Sequence, residues 1–308
     1  MTNTFTQTKD SSCFLCGSTY LKKTKLRRPL VWNGHIYTYL KCKACNSYSL
    51  IPELSASDIE ALYSESYEFD ENNSSYYYNI YYENHGYRHA EKLLKLHLNK
   101  DMKLLDFGCG SDLTISKLCE AHKVSYTGIE ANSNVVKKLQ TISPNNKYLT
   151  YQEFQDLTDS FDFIFMGDVL EHVSHPSRLL AQLKTCLSSN GMIFIQGPLE
   201  NSSSLVHLFV KVKSKLLNAK VVEMHPYHVS LASLKSIKRL VQSSELKIQE
   251  AIVYEVMWPA NKLGAESFLH LNQALLRFLK FFDLVISRIL PLAGNRFIMV
   301  LKSSNFNC

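Results

Sequence analysis

A chain of 308 residues that is 45% hydrophobic and 20% charged can bury one full α/β domain and a small appendage, which excludes a disordered or fibrous polypeptide. Eight cysteines are too few to staple a chain of this length, and four of them form two C-x-x-C pairs, so metal ligation in a reducing, cytoplasmic compartment is expected. Charge is uneven: residues 1–50 carry eight Lys/Arg against the single acid Asp10, a balance of +7, and the remaining 26 basic and 27 acidic residues leave −1.

The opening MTNTFTQTKD lacks the basic start and apolar core of a secretory signal. Cys13-Phe14-Leu15-Cys16 and Cys42-Lys43-Ala44-Cys45 follow, 25 residues apart. Each pair places two thiolates on one tight turn, and two such turns complete a tetrahedron. Four protein ligands leave no open position, so Cys13, Cys16, Cys42 and Cys45 are expected to hold a structural Zn²⁺ in a ribbon over residues 11–50. Within it, 30–32 and 35–40 read as strands around the Asn33-Gly34 turn.

Residues 51–87 form a connector with eight of the chain's 17 tyrosines, rings suited either to a lid over a bound molecule or to packing on a sheet edge. From residue 88 to 308 strand and helix patterns alternate. Strands are predicted at 103–107, 124–130, 147–151, 161–167, 192–196, 246–258 and 296–301, and helices at 113–122, 133–141 and 176–187, with none evident before the fourth strand. This rhythm predicts an α/β fold, a mostly parallel sheet with helices on both faces and an antiparallel pair at the C-terminal edge. Two further helical stretches are insertions, near 202–222 and 264–292.

The first strand runs into Asp106-Phe107-Gly108-Cys109-Gly110, where Gly108 and Gly110 permit close backbone approach and Asp106 can hold a polar group. The next strand ends in Glu130, 24 residues after Asp106, where ribose hydroxyls accept bidentate hydrogen bonds. The residue three after Gly110 is Leu113, so the G-x-G-x-x-G pyrophosphate pattern is not met, and a cofactor with a ribose and no phosphate fits better than a dinucleotide.

These residues, together with Phe161-Asp162-Phe163-Ile164-Phe165-Met166-Gly167-Asp168-Val169-Leu170-Glu171-His172-Val173 and the later Leu187-Ser188-Ser189-Asn190-Gly191, resemble the class I S-adenosylmethionine-dependent methyltransferases. With the cysteine pairs, the chain is similar to zinc-ribbon methyltransferases of glycan and small-molecule biosynthesis. The resemblance implies a doubly wound, seven-stranded, Rossmann-like sheet. It places Asp106, Gly108 and Gly110 around the methionine part of the cofactor, Glu130 at the ribose, and Met166 and Asp168 on the methionine side. Asp112 stands where the family's motif usually has a third glycine.

Methyl transfer from a sulfonium is an in-line displacement, so a hydroxyl acceptor must be positioned and deprotonated. His172, at the carboxyl edge of the sheet, and His228, ahead of the next helix, are the candidate bases. Asp168, Glu171 and His172 also make a D-x-x-E-H pattern similar to the E-x-x-E-H metal site of ubiquinone-type and small-RNA 2′-O-methyltransferases; with His228 as the distant ligand it would suit Mg²⁺ or Mn²⁺. The expected function is methylation, most plausibly O-directed, of a small molecule, sugar or lipid-linked glycan. An RNA acceptor docked on the basic ribbon is one alternative, although the −1 remainder offers no extended basic track; a non-catalytic module of the same fold is the other. The first insertion reads as a basic amphipathic helix and the second as a longer, more apolar one; both suit a core or homodimer helix in the first place and peripheral membrane contact in the second, and the charged residues within 268–290 make spanning a bilayer unfavourable.

Overall fold

The computed structural model describes residues 11–24, 27, 29–55, 57–59, 61–62, 87–202, 204–216, 222–223, 226–256, 270–290 and 294–304. The connector tyrosines between 63 and 86 lie outside them; Tyr87 opens the first long helix, α1 (Tyr87–His97).

Seven strands form one sheet: β5 (Lys103–Phe107), β6 (Ser125–Glu130), β7 (Lys147–Thr150), β8 (Phe161–Gly167), β9 (Leu187–Pro198), β12 (Leu246–Tyr254) and β13 (Arg296–Ser303), in the order β12-β13-β9-β8-β5-β6-β7. The five strands from β9 to β7 are parallel, while β13 runs antiparallel between β9 and β12. This is the doubly wound, Rossmann-like arrangement expected from the strand rhythm. The order reverses at β5, and β5 and β8 diverge there in their connections, which opens a crevice at their carboxyl ends.

Period-two alternation sends Leu105, Ile164, Met166 and Ile195 to one face, beneath α5 (Pro176–Thr185) and α7 (Leu234–Ser243). Leu104, Phe163, Phe165 and Phe194 go to the other, beneath α1, α2 (Thr114–His122) and α3 (Ser133–Ile142). Caps explain the helix starts. Asn132 accepts from the N–H groups of Asn134 and Val135, and Ser233 forms a capping box with Ser236. A one-turn helix, α4 (Tyr151–Phe154), precedes β8 where no helix was expected; Thr150 and Glu153 close it as a capping box, a signal too short for periodicity to reveal.

The N-terminal strands β1 (Leu21–Lys22), β2 (Leu30–Trp32), β3 (His35–Cys42) and β4 (Tyr48–Ile51) make a second sheet. β2 and β3 pair antiparallel through Asn33 and Gly34, both at positive φ (47° and 75°), as the two-residue turn requires. The sheet extends beyond the expected boundary at residue 50. β10 (Val222–Glu223) joins β2 and β11 (Ser230–Leu231) joins β4, so it takes strands from the insertion after β9 and from the segment bearing His228. Ser233 Oγ donates to the carbonyl of Cys45 at 2.7 Å, tying the second cysteine turn to the start of α7.

The remaining helices, α6 (Leu205–Leu216) and α8 (His270–Ile289), are the two insertions and pack on each other. Among the described residues no helix is long and apolar enough to cross a membrane.

Candidate methyl-transfer site

The ribbon cysteines converge as the spacing predicted. The four Sγ atoms lie within 4.8 Å of one another, with Cys13–Cys45 at 3.5 Å and Cys16–Cys42 at 3.6 Å. Tetrahedral Zn–S bonds of about 2.3 Å would set sulfur–sulfur edges near 3.8 Å, so this donor set fits zinc. The hydrogen bond from Cys45 holds the Cys13 thiol down to about 4, while the same contact and burial push Cys45 up. One thiolate is thus already favoured; binding a metal would deprotonate the rest.

At the sheet edge, Gly108 and Gly110 take φ of +77° and +59°. A Cβ on Gly108 would lie 2.6 Å from Val169 Cγ2, so this glycine is required by packing as well as by backbone geometry. At Gly110 nothing lies within 4 Å of that position, leaving an approach to bare backbone. Asp112, in the family's third-glycine position, accepts from the N–H and Oγ1 of Thr114 at 2.8 and 2.7 Å and so caps the start of α2. Its carboxylate is held to its own helix.

Glu130 is buried at the end of β6. Its two oxygens accept from the N–H groups of Gly110 (3.0 Å) and Asn132 (2.9 Å), which joins the tips of β5 and β6. A carboxylate has about four acceptor positions, so two remain for ribose hydroxyls. Asp106 is also buried and accepts from Tyr126 at 2.9 Å; burial raises its pKa to about 7. These groups fit S-adenosylmethionine: a glycine turn open to the methionine part and a ribose-height acid one strand over, with no phosphate cradle beside them.

Two expected cofactor contacts are placed differently. Met166 is fully buried in the core facing α5 and α7, because strand pleating turns its side chain under the sheet, so only its backbone stands at the strand end. Asp168, at φ +56°, pairs with Arg296 Nη2 at 2.5 Å, across 128 positions. It is therefore not drawn into the cluster of Glu171, His172 and His228, whose ligand atoms lie within 4.8 Å of one another; the described residues bring together three of the four groups of the expected metal set.

That cluster has ordered surroundings. β8 ends at Gly167 and a single 3₁₀ turn, Leu170–His172, presents Glu171 and His172. His172 Nδ1 donates to the carbonyl of Tyr227 at 2.7 Å, and His228 Nδ1 lies 3.0 Å from Glu200 Oε1. The rings meet edge to face, centroids 4.9 Å apart. Burial and the neighbouring His228 lower His172 to about 4. Burial also opposes charge on His228, but Glu200 outweighs it and raises the pKa to about 9. Burial and Asp168 push Glu171 up to about 8. The ribbon supports the same segment: Tyr39 Oη donates to the carbonyl of His228 at 2.6 Å, and the N–H of Val229 donates to the carbonyl of Glu171 at 2.8 Å.

Glu200, Arg296 and Arg27 were not anticipated. Glu200, just beyond β9, obeys the rule that ligand groups gather at carboxyl strand ends, and could have been found that way. Arg296 opens an apolar antiparallel strand whose start lies at this same edge, and a charge at that point was a weak signal. Arg27 donates to the carbonyl of Glu200 at 2.7 Å from 173 positions away, for which the sequence offers none.

A seven-stranded sheet of this order, with a glycine turn and two acids at adjacent strand tips, defines a class I S-adenosylmethionine-dependent methyltransferase. Residues 81–251, more than half of the chain, match the family model described as "Methyltransferase domain", and the chain belongs to that family. It is 28% identical over 106 residues to the mitochondrial ubiquinone biosynthesis O-methyltransferase of Candida albicans, a match spanning 32% of this chain and 32% of that protein. Among solved structures, it resembles coclaurine N-methyltransferase bound to N-methylheliamine and SAH (11% identity, 82% of this chain and 84% of that one, TM-score 0.52). It likewise resembles a chain from the complex of the Haloferax volcanii Trm112 methyltransferase activator with a methyltransferase (11% identity, 82% and 99%, TM-score 0.52). At such identities the likeness is one of fold.

Proposed function

We propose that the protein is an O-methyltransferase whose acceptor is a hydroxyl of a small molecule, sugar or lipid-linked glycan. The observation that carries this reading is the pairing of His172 and His228, 56 positions apart in sequence, with each Nδ1 set on an acceptor beside Glu171. The name of the Candida albicans relative, an O-methyltransferase, agrees with it. In this reading the glycine turn and Glu130 hold the methyl donor, and the acceptor oxygen is seated at the histidine pair. Because Glu200 raises His228 to about 9, the ring acts from its neutral form, which grows as pH rises towards that value: its Nε2 takes the hydroxyl proton while Glu200 holds Nδ1–H and supports the imidazolium that forms; the oxygen then attacks the methyl carbon in line and the thioether departs. His172, neutral and anchored by Tyr227, keeps its Nε2 as an acceptor that orients the hydroxyl.

A second reading is favoured by the donor set itself. Each histidine gives its other ring nitrogen to a carboxylate or carbonyl, as metal-bound histidines do, so Glu171, His172 and His228 would hold a divalent cation such as Mg²⁺ or Mn²⁺. Such an ion, when bound, lowers the pKa of a coordinated hydroxyl.

An RNA acceptor has less support. Arg27, one of the cations of the basic ribbon, is turned inward onto Glu200 and His207. The deciding experiment measures turnover before and after EDTA, for the wild type and His228→Ala, on a panel of hydroxylated acceptors. Loss on chelation with recovery in Mn²⁺ selects the cation; indifference to EDTA with a fall of roughly 10²- to 10⁴-fold in His228→Ala selects the base. Wild-type turnover in His228→Ala overturns both. Calorimetry with S-adenosylmethionine tests the non-catalytic alternative, which requires no binding heat.

A further inference from the structure

The two insertion helices present an apolar surface that stays exposed among the described residues. On α8, Phe278, Phe281, Phe282 and Ile289 are exposed, Phe281 by 60% and Ile289 by 74%; on the neighbouring α6, Leu208 and Val212 are about half exposed. Residues 278, 282, 285 and 289 follow the spacing of one continuous helical stripe. Monomeric soluble proteins rarely leave so many large side chains together in water.

The inward side of α8 is fixed by polar chemistry. Lys280, 1% exposed, pairs with Glu255 after β12. Asp283 accepts from the N–H groups of Leu205 (2.7 Å) and Val206 (3.0 Å), capping α6. These contacts dictate which side of the helix faces out, so the exposed stripe is part of the folded arrangement.

Charge identifies the occupant. The two helices carry Lys211, Lys213, Lys215, Arg277, Lys280 and Arg288 against one acid, Asp283. Lys280 is matched by Glu255 and Asp283 is spent on the α6 terminus, so by sequence the two helices carry an excess of basic residues and hold no further acid. Lys211 and Lys215 follow Leu208 and Val212 at three-residue spacing, and Arg277 and Arg288 lie four residues before and seven after Phe281. A second copy seated on this face would bring like charges together, with no acid from either helix to compensate. Lipid phosphates supply the opposite sign, while aromatic and aliphatic side chains enter the acyl boundary.

We propose that α6 and α8 form a docking surface for an anionic lipid bilayer, with both helices lying in the plane of the interface. This rests on the helices alone and stands whatever the acceptor. It also places the methyl-transfer site near the bilayer, since His207 of α6 lies 3.0 Å from Arg27, whose guanidinium also reaches Glu200.

The test is co-sedimentation of the full-length protein with vesicles of phosphatidylcholine alone and of equimolar phosphatidylcholine and phosphatidylglycerol. Binding is expected on the anionic vesicles and is weakened by salt. Lys211→Gln should reduce partitioning by about fivefold, the contribution of one cation near such a surface. Phe278→Ser combined with Phe281→Ser should abolish it. An unchanged melting temperature and S-adenosylmethionine affinity in these variants show that the fold survives. No binding by the wild type, equal binding to neutral vesicles, or full binding by the phenylalanine variant overturns the proposal. So does sedimentation velocity showing a dimer that the phenylalanine variant dissolves without any vesicle binding.

Discussion

The Asp106–Glu130 region and the Glu171–His172–His228 cluster share one edge of one sheet, but they are assembled differently. The first is a contiguous strand, turn, helix and strand, whose key bonds run between near neighbours: Gly110 to Glu130, and Tyr126 to Asp106. The second collects a 3₁₀ turn after β8, the segment before β11, the end of β9 and the start of β13, with Arg27 and Tyr39 reaching in from the ribbon. The first group, the donor half of the proposed reading, is therefore built by local geometry and the second, its acceptor half, by long-range packing. This division suits an enzyme that keeps one cofactor and can vary its acceptor. It also means the ribbon is not an isolated cap, since its sheet incorporates the strand that follows His228.

The contrast can be tested by perturbing each half. The largest effect is expected at Arg296, nearly inaccessible and joined to Asp168 and Tyr254. Arg296→Met leaves Asp168 without its counter-ion and should cost about 3–5 kcal/mol in urea unfolding, with acceptor turnover lost in parallel. A cost under about 1 kcal/mol would mean the ion pair does not hold the acceptor half together. Next is Glu130→Ala, expected to weaken S-adenosylmethionine by about 1–3 kcal/mol in calorimetry and to leave unfolding of the acceptor half alone. Wild-type affinity would remove Glu130 from the ribose.

A third effect concerns pH. Burial raises Asp106 from its usual 3.8 to about 7, so the protonated form is the one the fold prefers. Its stabilising contribution is present below the unfolded value and is lost as pH rises through about 7. Asp106→Asn keeps a neutral partner for Tyr126 at every pH, so its melting temperature should fall less over that interval than the wild type's, while cofactor affinity drops. Parallel melting curves for the two proteins would place the proton elsewhere.

Much of the sheet could be read directly from residue patterns. β5 and β8 occupy the expected residues, and the glycine turn, the acid closing β6 and the two cysteine pairs stand where spacing placed them. Each depends on residues close in sequence or on strict side-chain alternation, which a one-dimensional pattern carries in full. Met166 shows the limit: a motif position names a strand end, and pleating decides whether that side chain meets the crevice or the core. Asp168 shows another, because its helical spacing to Glu171 and His172 lost to an arginine 128 positions away.

By itself the sequence determined the α/β class, the glycine-and-acid donor motif, the zinc-type thiol set and the amphipathic character of the two insertions, all properties of neighbouring residues. Only the tertiary structure decided that His172 and His228 meet, that Glu200 rather than Asp168 supports the pair, that the ribbon borrows strands from the catalytic domain, and which side of α8 faces outward. The physical reason is that a buried charge takes whichever partner the completed fold brings within reach, and that partner is set by chain crossings which local pattern does not record.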